Sequence, residues 1–164
     1  MTKYAVLIGQ IQQEITELDR LVENNERLFA KLKATHDDDD YLGSIALNLH
    51  GFYSGVERIF KQIAQMIEGA VPDQGDWHRQ LLRQMTVTIP QFRAPVICQA
   101  TKIALDEYCS FRHAVKNIYS LNFKSERLEQ LTTNLPNCFA ALRQDLLNFM
   151  ALYPGANLGE KRSR

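Results

Sequence analysis

Apolar residues return every three or four positions over segments far longer than a strand, and this period decides what the chain can become. Leu7, Ile8, Ile11, Ile15, Leu18, Leu21, Val22 and Leu28 mark an amphipathic helix from position 3 to about 33. Leu42, Ile45, Leu49, Phe52, Val56, Ile59, Phe60, Ile63 and Ile67 mark a second one from Tyr41 to Gly69. Between them, His36-Asp37-Asp38-Asp39-Asp40 cannot pack on a core; it reads as a solvated connection whose carboxylates suit the N-terminus of the next helix. Two rods of this length joined by so short a link predict an all-α, up-and-down bundle. Its frame is two long antiparallel helices, with three or four further helices packed on them.

The rest of the chain supplies those helices. Val71-Pro72-Asp73-Gln74-Gly75 is a turn by composition, and Gln74 or Asp76 can cap a short helix through Met85 that contains Trp77, Leu81 and Leu82. The segment from Thr86 to Pro95 has two prolines and β-branched residues, which predicts an extended connection. No glycine or proline occurs from Val96 to Leu135, where Ile97, Ala100, Ile103, Ala104, Leu105 and Tyr108 begin another helix. Ser125 can cap a short helix to about Thr133. Pro136 should then restart the chain as a last helix carrying Phe139, Leu142, Leu146, Leu147, Phe149 and Met150, which stops before Pro154-Gly155. One helical domain over residues 1–154 and a flexible polar tail over 155–164 are expected.

Composition narrows the function classes. With 164 residues and 45% hydrophobic content the chain can bury a sizeable core. Nineteen basic residues balance nineteen acidic ones, so a polyanion would be held by a local patch and not by global charge. Cys98, Cys109 and Cys138 form no C-x-x-C pair and read as reduced core thiols. The amino terminus lacks a signal-peptide apolar region and no segment approaches 18 uninterrupted apolar residues, which predicts a cytoplasmic protein with no membrane partner. The residues three before the four histidines are Lys33, Leu47, Gly75 and Ser110, so no Glu-x-x-His metal pair exists. Walker loops, G-x-G-x-x-G and G-x-S-x-G are also missing.

What remains is the run Phe111-Arg112-His113-Ala114-Val115-Lys116-Asn117-Ile118-Tyr119. On a helix Arg112, Lys116 and Tyr119 share one face, a cationic patch with a phenol beside it. Upstream, His50, Ser54, Glu57 and Lys61 form a polar stripe that either faces a cleft or is the wet side of its helix. Arg112 has a structural alternative, an ion pair with Glu57 or Asp106; Tyr119 has one as a helix-end tyrosine with a satisfied hydroxyl.

These residues, with Asn48-Leu49-His50-Gly51-Phe52-Tyr53-Ser54-Gly55-Val56-Glu57-Arg58-Ile59-Phe60, resemble the HepT-like branch of the HEPN superfamily over most of the chain. The resemblance implies a helical bundle that forms a homodimer, in which two R-x4-H-x-Y motifs line a cationic cleft that cleaves RNA such as tRNA or mRNA without metal or other cofactor. It implies a toxin neutralised by a minimal nucleotidyltransferase antitoxin, with the motif tyrosine as the AMPylation acceptor. Arg112 matches the motif arginine and Tyr119 the tyrosine, but Asn117 stands where the histidine belongs. None of the four histidines has an arginine five to seven residues before it.

Asn117 can hydrogen-bond a phosphate or ribose but cannot exchange a proton near neutral pH. Arg112 and Lys116 would be the cationic donors. His113, four residues before Asn117, either takes over part of the proton chemistry or only orients its neighbours. Ser54 and Glu57 align with polar positions of the family's second helix and would complete the cleft. The competing implications are a catalytically silent HEPN bundle that binds RNA or nucleotide or scaffolds a nucleotidyltransferase, and a helical interaction domain whose cluster is a dimer seam.

Overall fold

The computed structural model describes residues 2–35, 39–116 and 125–153. Among them are five α-helices: α1 (Thr2–Thr35), α2 (Asp39–Ile63), α3 (Trp77–Gln84), α4 (Gln99–Lys116) and α5 (Ser125–Met150). Among the described residues no helix is long and apolar enough to cross a membrane. The all-α bundle expected from the periodicity is the fold observed.

α1 and α2 make the most extensive helix pair. Arg58 Nε donates to Glu14 Oε1 at 3.0 Å, while Gly55 meets Leu18 and Gly51 meets Leu21. As numbers rise on one helix they fall on the other, so the two rods are antiparallel. The glycines allow the approach: a Cβ at Gly55 would lie 2.7 Å from Leu18 Cδ2. Along the seam Ile11, Leu49, Phe52, Val56, Ile59, Phe60 and Ile63 are completely buried. Phe52 lies edge-on to Tyr108 of α4 and Phe139 of α5, with ring centroids 5.3 and 6.4 Å away, so one aromatic joins three helices.

Three local features depart from the sequence reading. First, α2 does not run as plain α-helix to Gly69; Ala64–Glu68 widen into one π-helical turn, closed by Gly69 at φ 70° with its N–H on Ala64 O. Second, Thr86 to Pro95 is not simply extended. Pro90 followed by Gln91 at φ 68° is the order of a type II turn, and the Phe92 N–H bonds Ile89 O at 3.0 Å. Ile89 and Arg93 then form an isolated antiparallel bridge. The buried Arg93 guanidinium clamps this segment, donating to the carbonyls of Gln84, Val87 and Ala94 and pairing with Glu68 of the π turn.

Third, Pro136 does not restart a helix; α5 runs through it. Leu131, Leu135, Cys138, Phe139 and Leu142 are buried on both sides of the proline, and that continuous apolar face outweighs one lost backbone hydrogen bond. Nearby, the Tyr108 hydroxyl donates to Leu131 O at 2.7 Å. The cysteines also separate. Cys109 and Cys138 are buried thiols, but Cys98 is exposed, so it is not the core thiol expected.

Candidate active site

The polar stripe of α2 is turned inward at Ser54 and Glu57, while Lys61 at its end is exposed. Ser54 is half-buried and the Glu57 side chain is only 4% exposed, because α3 and α4 lie against this part of α2. Ser54 Oγ donates to the His50 carbonyl one turn back at 3.0 Å, and accepts from Arg112 Nε at 3.3 Å. Lys61, one turn beyond Glu57, places its ammonium 4.0 Å from the centre of the Trp77 ring. The stripe is therefore a docking edge for α3 and α4.

Glu57 is the hub. Its Oε2 lies 2.7 Å from Nδ1 of His78, and its Oε1 lies 2.8 Å from Arg112 Nη1, an ionic contact out of line for a hydrogen bond. Arg112 Nη1 is also 2.9 Å from His78 Nδ1 and 3.4 Å from Nε2. One carboxylate, one guanidinium and one imidazole from three helices thus share a single contact point. Arg112 and His78 keep 17% and 19% of their side chains exposed, so the cluster opens to solvent on one side.

That side is a cavity of about 600 Å³ lined by Gly75, Asp76, His78, Arg79, Arg112 and His113, with Cys109 and Ser110 completing its wall. Arg79 spans it, donating to Ser110 Oγ at 2.9 Å and approaching Asp106 at 3.5 Å and Asp76 at 3.6 Å. Beneath the wall, burial raises the pKa of both the Tyr53 phenol and the Cys109 thiol, so both stay protonated at neutral pH. Two arginines face Asp76, Asp106 and Glu57 here. The charge is nearly balanced, and an anion would be held by directed N–H donors more than by net potential.

Of the residues singled out in the sequence, Arg112, His113, Ser54 and Glu57 converge on this region; His113 is exposed at the cavity's edge. Arg112 takes the Glu57 ion pair that was its structural alternative, whereas Asp106 goes to Arg79. The side chain of Lys116 and the whole of Asn117 and Tyr119 lie outside the described residues. His78 and Arg79 were not singled out. Their only sequence signal is a position in the first turn of a short helix after a Pro-Asp-Gln-Gly turn, and nothing there points to residues 57 and 112.

A family model described as HepT-like protein matches residues 44–153, which include Glu57, His78 and Arg112. No curated protein and no solved structure matches the chain.

Proposed function

We propose that this chain, which belongs to the HepT-like family, is a HEPN-type endoribonuclease that needs no metal and acts as the toxin of a toxin–antitoxin pair. The observation that carries the reading is the placement of Arg112: it stands near the end of α4, ordered by Ser54 and Glu57, with its guanidinium on a solvent-open cavity shared with two imidazoles. RNA cleavage by its own 2′-hydroxyl needs a cation for the charge developing on phosphorus, a base and an acid. Arg112 supplies the cation and Lys116 assists it. Asn117 positions phosphate or sugar, and His113 carries part of the proton traffic.

In this reading two copies of the chain pair so that their α4 ends share one cleft. A nucleotidyltransferase antitoxin silences the toxin by adding AMP to Tyr119, placing a phosphate and a base where RNA must lie. Incubation of the purified protein with bulk tRNA in EDTA tests the reading: fragments are expected, and intact RNA refutes it. A salt-sensitive mobility shift without fragments favours the second reading, a silent HEPN bundle that binds RNA. Two observations speak for that alternative, Asn117 at the motif position and the occupation of Arg112 by Glu57. Mass spectrometry after co-expression with a minimal nucleotidyltransferase of the antitoxin class tests the modification, for which AMP on Tyr119 is the expected product.

A further inference from the structure

We infer that His78, oriented by Glu57, is the general base of this site and stands in for the histidine that Asn117 replaces; the inference rests on the ribonuclease reading above. Two contacts fix the ring, and a third braces one of them. Its Nδ1 is 2.7 Å from Glu57 Oε2, its face stacks on Trp77 at 3.5 Å between centroids, and Trp77 is itself held under the Lys61 ammonium. A side chain that merely filled space would not need its edge and its face both restrained.

The surroundings assign the tautomer. Glu57 is nearly buried and ion-paired with Arg112. Nδ1 lies between Glu57 Oε2 at 2.7 Å and Arg112 Nη1 at 2.9 Å; a proton on Nδ1 gives the acceptor-only carboxylate the donor its shorter contact needs, and leaves Arg112 Nη1 to donate to Nε2. Nε2 then carries the ring's lone pair. It lies 3.4 Å from Arg112 Nη1, so the proton acceptor and the phosphate-binding cation are neighbours. The reaction requires that adjacency, because the 2′-hydroxyl and the phosphorus it attacks are on the same nucleotide.

The step balances with groups at the cavity. Nε2 of His78 takes the proton of the ribose 2′-hydroxyl as O2′ forms a bond to phosphorus. Arg112 holds the non-bridging oxygens. The P–O5′ bond breaks, and the leaving O5′ takes a proton from the His113 imidazolium, giving a 2′,3′-cyclic phosphate and a 5′-hydroxyl. Exchange with water then returns one proton to His113 and removes one from His78. The cavity, near 600 Å³, is large enough for a nucleotide.

The charged and titratable groups around His78 are Glu57 and Lys61 from α2, Asp76 and Arg79 at the start of α3, and Arg112 and His113 from α4. A residue that only ties α3 to the bundle would tolerate His78→Gln, whose amide can still donate to Glu57. The experiment is tRNA cleavage in EDTA across the pH range of imidazole titration, for the wild type, His78→Gln and His113→Gln. His78→Gln is expected to lose about 100-fold or more in rate, to lose the rise in rate with pH, and to keep wild-type RNA affinity and helicity. His113→Gln should lose the fall in rate at high pH.

A His78→Gln protein that cleaves at the wild-type rate with an unchanged pH profile overturns the inference alone. A wild type that leaves tRNA intact overturns the ribonuclease reading and the inference together. If His78→Gln does not fold, NMR of the wild type decides: titration with uridine 3′-monophosphate should shift the Cε1–H resonances of both His78 and His113. A His78 resonance that does not move overturns the assignment.

Discussion

Replacing Glu57 by Gln removes the one negative charge that Arg112 and His78 share, without changing the volume of the side chain. At 2.8 Å the attraction between Glu57 and Arg112 is about 6 kcal/mol for an effective dielectric near 20. Most of that gross attraction is offset by the loss of hydration, so the net cost comes from what the substitution leaves behind. It leaves a guanidinium that is 17% exposed without a counter-ion. Breaking a fully buried pair costs about 3–5 kcal/mol; with one face of Arg112 still wet, we expect about 2–3 kcal/mol. In a domain of this size that lowers Tm by roughly 5–10 °C.

The assay is urea unfolding followed by far-ultraviolet circular dichroism and by fluorescence of Trp77, the single tryptophan, which sits on α3 beside the cluster. The double variant Glu57→Gln with Arg112→Met should be less destabilised than the two single losses summed, by about 1 kcal/mol or more, because the uncompensated charge has gone too. Additivity within about 0.5 kcal/mol would show that the two groups are not coupled and would refute the hub assigned to Glu57.

Three more expectations follow from the packing. Arg93→Met should cost about 3–5 kcal/mol by the same urea assay, since it strands the Glu68 carboxylate inside the π turn beside a fully buried partner site. Gly9→Ala and Gly43→Ala, where a Cβ meets nothing within 4 Å, should each gain about 0.8–1 kcal/mol of helix propensity; Gly55→Ala should instead be neutral to about 2 kcal/mol destabilising as its Cβ crowds the buried Leu18. Stability should also fall in alkali. Burial pushes the Cys138 thiol up to about 12 from its ordinary 9.0, so its contribution is whole below the unfolded value and is lost as pH rises toward the folded one. The Cys109 thiol and the Tyr53 and Tyr108 phenols, also raised mainly by burial, act in the same direction. At about pH 10.5 the loss from Cys138 alone is about 2 kcal/mol, and an unfolding free energy equal to that at neutral pH contradicts it.

The helices were legible in the sequence because helical periodicity is a local property. Each apolar stripe repeats within one turn, and Leu7 to Leu28 or Leu42 to Ile67 needs no knowledge of its partner to be read as a buried face. Arg112, Ser54 and Glu57 could be singled out in the same way, because residues on one helix face keep a fixed spacing. Long-range packing decided the rest. Pro136 lies inside a helix because buried neighbours on both sides hold it there, and Arg93 closes a turn onto a carboxylate 25 residues earlier. The histidine at Arg112 comes from α3, 34 residues back in the chain. No spacing rule joins positions 57, 78 and 112; only α3 lying across α2 and α4 brings them within hydrogen-bonding distance, and that placement depends on the whole core.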